Sequence, residues 1–224
     1  MTIETEVVMN DISFLENRLI NCDLCKRLRS FSEYVARFDK RYDEQYWGKP
    51  VPGFGDKNAV LLILGLAPAA HGGNRTGRPF TGDESGKWVI KGLYELGLSN
   101  LEEGKNRNDG LVLKHVYLTN AVSCAPPENK VNMKEIKNCS TNLKFTIEAL
   151  SNLRSILTLG QVAFRALEIV LNFREQFRHL NVIKVCGKYV ISSYHPSPLN
   201  TRTGKLSWTE WMDTLRYAWE LANA

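Results

Sequence analysis

The chain has 224 residues, 43% hydrophobic and 10% aromatic, enough for one sizeable α/β core, and is read as one domain over residues 1–224. No apolar run approaches the ~20 residues that span a bilayer, and the opening "MTIETEVVMNDISFLENRL" lacks the basic and apolar regions of a signal peptide, so a soluble cytoplasmic protein is expected. A net charge of +5 suits a polyanionic partner without demanding one.

In chain order, the first feature is the pair Cys22 and Cys25 in C-x2-C spacing. A strand-like run, "AVLLILG" at 59 to 65, leads into the polar, glycine-rich stretch "GLAPAAHGGNRTGRPFTGD". Val89, Leu93 and Leu96 then mark a helix around residues 84 to 97. A second strand, "HVYLTNAV" at 115 to 122, runs into "SCAPPENK" with Cys124, and Cys139 follows before the helical period of Leu143, Ile147 and Leu150. "SILTLG" at 155 to 160 is a third strand, and Phe164, Leu167 and Leu171 give the next helix. "KYVISS" at 188 to 193 is a fourth strand, leading to "YHPSPLNTRTG", and Trp208, Met212, Leu215 and Trp219 predict a final amphipathic helix. Alternating strands and helices predict a three-layer αβα fold around a central four-stranded, mainly parallel sheet. In such a sheet the loops leaving the carboxyl ends of the strands form the ligand crevice, so the stretches at 65 to 83, 120 to 130 and 194 to 204 should meet on one edge.

Four of the five cysteines, Cys22, Cys25, Cys124 and Cys139, come from two distant segments and can surround one soft metal centre, zinc or an iron–sulfur cluster. Cys124 and Cys139 are too far apart for a short zinc knuckle, which tilts the reading toward a cluster; buried, unligated thiols are the plainer alternative. Cys186, in an apolar strand context, is expected in the core.

The first loop lacks the lysine of a P-loop and the spacing of a dinucleotide fingerprint, so a nucleotide cofactor is unsupported. It offers Arg75 and Arg78 for phosphate or carboxylate, Phe80 for stacking, and Asp83, either a site acid or a helix N-cap. Asn120, at a strand end, can donate to and accept from a nucleobase edge, or cap a loop. In the third loop two prolines stiffen the turn after His195, while Ser197, Leu199 and Arg202 form a tip suited to pressing on a nucleic-acid backbone; a stiff surface turn is the alternative. Of the other histidines, His71 lies in the first loop and stays a candidate, whereas His115 and His179 have weaker contexts.

These three loop motifs and the four cysteines resemble the iron–sulfur uracil-DNA glycosylases, and within them family 5, over roughly residues 22 to 204. The resemblance implies a structural [4Fe–4S] cluster on Cys22, Cys25, Cys124 and Cys139 and the removal of damaged bases, uracil and hypoxanthine among them, from single- and double-stranded DNA. It makes Phe80 the ring that stacks on an extruded base, Asn120 the contact to its polar edge, and His195 the donor to the departing base anion. Family 4 carries an acid where this chain has Leu66 and Ala67, so Ala67 falls in the substrate pocket and Asp83 becomes the candidate acid. Leu199 is the implied wedge, with Ser197, Arg202, Arg75 and Arg78 on DNA. A monomer is expected, and nothing in "MTIETEVVMN" argues for a replication-clamp contact. A catalytically idle DNA-binding module and an iron–sulfur electron carrier are the competing readings.

Overall fold

The computed structural model describes residues 12–224; the "MTIETEVVMN" segment lies outside the described residues. Four central strands are almost wholly buried, as strands covered on both faces must be. They are β2 (Leu61–Gly65), β3 (Val116–Asn120), β4 (Ser155–Leu159) and β6 (Lys188–Ser193), and they pair in parallel in the order β3-β2-β4-β6. Two short antiparallel strands extend the sheet to six: β1 (Phe54–Gly55) beside β3, and β5 (Val182–Val185) beside β6.

Alternation along β2 divides the core. Leu62 and Leu64 face one apolar layer; Leu61 and Ile63 face the other. The first layer is completed by α1 (Ile12–Ile20), α2 (Lys26–Phe38), α5 (Met133–Ala149) and α6 (Gln161–Leu171). The second is completed by α4 (Glu84–Glu95) and α8 (Trp208–Ala222). Two one-turn helices, α3 (Gly73–Thr76) and α7 (Pro198–Arg202), lie inside the first and third loops. Asn132 and Ser207 close capping boxes with Glu135 and Glu210, fixing where α5 and α8 begin. No described helix is long and apolar enough to cross a membrane.

Besides the two edge strands that take the sheet from the expected four to six, other features differ from the sequence reading. α1 and α2 are additional, and α2 is tied down by Ser32, whose buried hydroxyl accepts from the Ala125 N–H at 3.1 Å. Cys186 is not in the core: it is exposed at the tip of the β5–β6 hairpin. Val185 pairs with Lys188, leaving Cys186 (φ 48°) and Gly187 (φ 77°) as a two-residue turn whose left-handed pair matches the twist of the strands. The side chain of Cys186 therefore points away from the sheet's apolar layers.

Candidate active site

The three loops meet with Gly160, just after β4, at the carboxyl edge of the sheet, around a cleft of about 810 Å³. Gly65 and Asn120 end β2 and β3 side by side in register. A Cβ on Gly65 would lie 2.6 Å from both Asn120 Oδ1 and the tip of the Phe80 ring, so the glycine is what lets the amide and the ring share the cleft floor. Phe80 and Asn120 are each only 7% exposed. Phe80 holds a left-handed backbone (φ 51°), a strained state for an aromatic residue that turns it toward the cleft.

Asp83 lines the same cleft and is also the N-cap of α4, its Oδ1 accepting from the Gly86 N–H at 2.9 Å. Capping the helix thus does not keep the residue out of the cleft. A Cβ on Gly72 would fall 2.2 Å from Asp83 Oδ2, so the first loop closes directly over the carboxylate. Burial raises the carboxyl above the ordinary acid range, although the Gly86 and Ser85 amides pull the other way.

His195 follows β6, its backbone carbonyl accepting from the Ser197 N–H and from Asn200 Nδ2, both at 2.8 Å. Burial pushes its imidazole down to about 4, so the ring is neutral at physiological pH and carries one N–H to donate. His71 is a further neutral imidazole in the cleft, its protonation disfavoured by burial and by Arg41. The Arg41 N–H donates to Tyr46 Oη at 3.0 Å, which frees the tyrosine proton for His71 Nδ1 at 3.3 Å. Ala67 and Ser197 also line the cleft.

The structure corrects the placement of two predicted DNA contacts. Arg78 is 2% exposed, bidentate to Asp109 at 2.8 and 2.6 Å and hydrogen-bonded to Thr81 Oγ1, so it is an internal strut with nothing left for a phosphate. Burial by itself would raise the Asp109 carboxyl, but Arg78 and the Leu111, Lys105 and Asn106 amides hold it well below the usual range. Arg75, its side chain 10% exposed, pairs with Glu44 and donates to the His71 carbonyl at 2.7 Å. Leu199, 73% exposed, and Arg202 do face solvent beyond the third loop. Phe31, Arg41 and Tyr42 also line the cleft and were missed in the sequence, because they belong to α2 and the chain leaving it. The spacing of Leu28, Phe31 and Val35 at i, i+3, i+7 was the pattern that could have found that helix.

Beside the cleft, Cys22 and Cys25 between α1 and α2, Cys124 after β3 and Cys139 on α5 line one small pocket together with Arg29 and Asn138. Burial, with Cys139 nearby, pushes the Cys124 thiol up to about 12; burial likewise takes Cys139 to about 11, against a hydrogen bond from the Ser123 backbone. Asn138 Nδ2 donates to Cys25 Sγ at 3.4 Å. Among the described residues no trio of His, Cys, Asp or Glu is grouped tightly enough to hold a single metal ion.

A parallel α/β sheet with a flat ring, an amide, a neutral imidazole and a desolvated carboxylate around one open cleft defines a class of protein that takes up a planar, polar-edged ligand. The chain belongs to the uracil DNA glycosylase superfamily, whose family model matches residues 52–219. It is 46% identical over 203 residues to the type-5 uracil-DNA glycosylase of Pyrobaculum aerophilum, covering 90% of this chain and 89% of that one. It is 42% identical to the protein of that name from Thermus thermophilus, covering 91% and 95% of the two chains, and 42% identical to that from Mycobacterium bovis, covering 92% and 80%.

Proposed function

We propose that this chain is a monofunctional uracil-DNA glycosylase of the type-5 group, which turns a uracil nucleotide out of DNA and hydrolyses its N-glycosidic bond, leaving an abasic site for base excision repair. Membership in the superfamily and relatives of that name along nine-tenths of the chain support the reading. The observation that carries it is the convergence of Phe80, Asp83, Asn120 and His195 on one cleft.

The chemistry follows from charge. As the C1′–N bond lengthens, the sugar becomes cationic and the base anionic, so a transition-state site needs an anion at one end and a donor at the other. The Asp83 carboxylate, costly to ionise where it is buried, gains most when the cation forms beside it, and its raised proton affinity suits it to take the proton of the attacking water. The neutral His195 ring donates to the base anion; an imidazolium would instead have to be held against its own desolvation. Phe80 stacks on the ring of the base and Asn120 meets its polar edge. Leu199, at the tip of the third loop, fills the gap left in the helix, with Ser197 and Arg202 on phosphate. Where family 4 carries an acid this chain has Leu66 and Ala67, and the resemblance to family 5 supports acceptance of hypoxanthine and modified uracils beside uracil.

Cys22, Cys25, Cys124 and Cys139 would hold a [4Fe–4S] cluster. Four thiols lining one pocket, Cys124 and Cys139 buried and Cys22 and Cys25 half-buried, with Arg29 and the Asn138 amide beside them, suit a cationic iron core, and thiolates around four irons lie farther apart than around one ion. When bound, the cluster supplies a covalent clamp joining α1 and α2 to α5.

A uracil-containing oligonucleotide, incubated with the protein and then treated with hot alkali, should break at the uracil. Strands that stay whole under all conditions would reject the reading in favour of a DNA-binding module. Trapping with borohydride should capture no enzyme, since hydrolysis passes through no Schiff base. The purified protein should be brown, with acid-labile sulfide; a colourless, zinc-bearing preparation would replace the cluster with zinc.

A further inference from the structure

Since Arg75 and Arg78 are turned inward, the cations that meet DNA on the side of the first loop must come from elsewhere. The chain leaving α2 runs along the cleft, where Phe31, Asp39, Arg41 and Tyr42 line it. Phe38, 74% exposed, and Leu199, 73% exposed, are the two most exposed large apolar side chains among the described residues, and each sits beside cleft-lining neighbours. Phe38 is also in ring contact with the exposed Tyr34, at 5.8 Å between centroids. One exposed aromatic needs no explanation by itself. What sets this one apart is that its segment is both continuous with the cleft and held rigid.

The rigidity comes from Arg75. Its guanidinium lies 4.5 Å from the centre of the Tyr42 ring while pairing with Glu44, and its carbonyl accepts from the Trp47 N–H at 2.9 Å. Tyr46 adds its contact to His71. The segment after α2 is thus bolted to the first loop, and it presents Arg37, Lys40 and Arg41, all exposed and without an ion-pair partner among the described residues.

We propose that the carboxyl end of α2 and the segment through Tyr42 form a second DNA-contact wall of the cleft, beside the wall that carries Leu199. Phe38 stacks on an unpaired base of the opened strand, and Arg37 and Arg41 neutralise backbone phosphates. Single strands are held by this combination of aromatic platform and cations, because every base has a face to stack and every nucleotide a charge. The acids Asp39 and Asp43 dilute the local charge, so stacking is the stronger component. Arg75 acts here as a positioning residue for the wall.

The inference rests on the glycosylase reading for its partner, and binding to undamaged DNA tests it separately from catalysis. Fluorescence anisotropy with an unmodified single strand should show Phe38→Ala weakening the affinity by roughly 5-fold or more, the least expected for loss of one stacked base. Arg37→Gln and Arg41→Gln should each lower the slope of log affinity against log salt by about 0.7. Arg216→Gln on α8, also an exposed cation but outside the cleft, should leave affinity unchanged. Thermal melts of the three wall variants should match the parent, because these side chains are exposed. With uracil-containing substrate the loss should fall on KM rather than kcat. Wall variants that bind and titrate with salt like Arg216→Gln would overturn the proposal, as would a loss confined to kcat. Parent protein that binds DNA but never breaks the glycosidic bond would remove the enzyme reading and leave the wall standing.

Discussion

The loop from Gly65 to Asp83 and the loop from Tyr194 to Gly204 leave the same edge of the sheet, and both bring titrating groups to the cleft, Asp83 and His71 from the first and His195 from the other. Their other polar side chains point in opposite directions. In the first loop Asn74, Thr76, Arg78 and Thr81 are all buried. The reason is the backbone: a long irregular segment folded back over the sheet must satisfy its own amides and carbonyls, and its side chains do that work. Asn74 donates to the Ser32 carbonyl, Thr76 to that of Gly72, and Arg78 ties the loop to Asp109. The loop from Tyr194 to Gly204 does this with short side chains near its end: Asn200, Thr201 and Thr203 donate to the carbonyls of His195, Ser197 and Leu199. Pro196 and Pro198 carry no N–H to satisfy, the Ser197 N–H and Asn200 both serve the His195 carbonyl, and α7 closes on itself. Leu199 and Arg202 are left free to face outward. An arginine in a loop is thus free to face solvent only where the loop's own packing does not claim its guanidinium.

Arg78→Ala tests this most severely. Removing one partner of a buried bidentate pair leaves Asp109 charged and unpaired, and a loss of about 3–5 kcal/mol in urea unfolding is expected. Arg78→Lys should restore only part of it, because an ammonium cannot span both carboxylate oxygens. Arg202→Ala should leave unfolding unchanged; if the two variants lose equal stability, the contrast between the loops is wrong.

At the cleft the two loops should behave alike. His195→Ala and Asp83→Asn should each slow single-turnover uracil release by ~10²–10³, or about 3–4 kcal/mol, as for loss of one preorganised electrostatic partner. Asn caps helices as well as Asp does, so the second variant separates the charge of Asp83 from its role at the start of α4. Asp83→Ala should lose in addition about 1 kcal/mol of stability.

Leu199→Ala sharpens the outward half of the contrast. Its melting temperature should match the parent, while uracil release from duplex DNA falls more than release from a single strand, where no stack has to be opened. Equal loss on both substrates would take the wedge role from Leu199.

The smallest effect lies in pH, where the two cleft groups carry opposite signs. His195, lowered from the ordinary 6.5 to about 4, binds its proton more tightly when unfolded. Its contribution to stability is complete above pH 6.5 and is lost as pH falls toward 4. Asp83 is raised, so the folded state binds its proton more tightly and stability drains as pH rises above the ordinary carboxyl value. Against the parent, His195→Gln should show a shallower loss of stability between pH 6.5 and 4, and Asp83→Asn should be the more stable at pH 7, measured by denaturant titration at each pH.

The four parallel strands, the helices α4, α5, α6 and α8, and the meeting of three loops at one edge were legible in the sequence. Each is written in a repeating apolar pattern or in strand–turn punctuation, and burial of that pattern leaves little choice of arrangement. β1 has two residues and no period to read, and α2 hides its seam because a serine, Ser32, occupies a core position and is compensated by Ala125 from far along the chain. Cys186 was misplaced because an apolar neighbourhood reads the same in a strand and in the hairpin turn beside it. The site divides in the same way. Residue type and motif nominated Phe80, Asp83, Asn120, His195 and the four cysteines, since these chemistries are scarce and tied to their loops. Direction, exposure and ionisation were decided only by the tertiary structure. Whether an arginine meets Asp109 or solvent, and whether an imidazole is neutral at pH 7, depends on groups brought close from distant segments, and no local stretch of sequence encodes that distance.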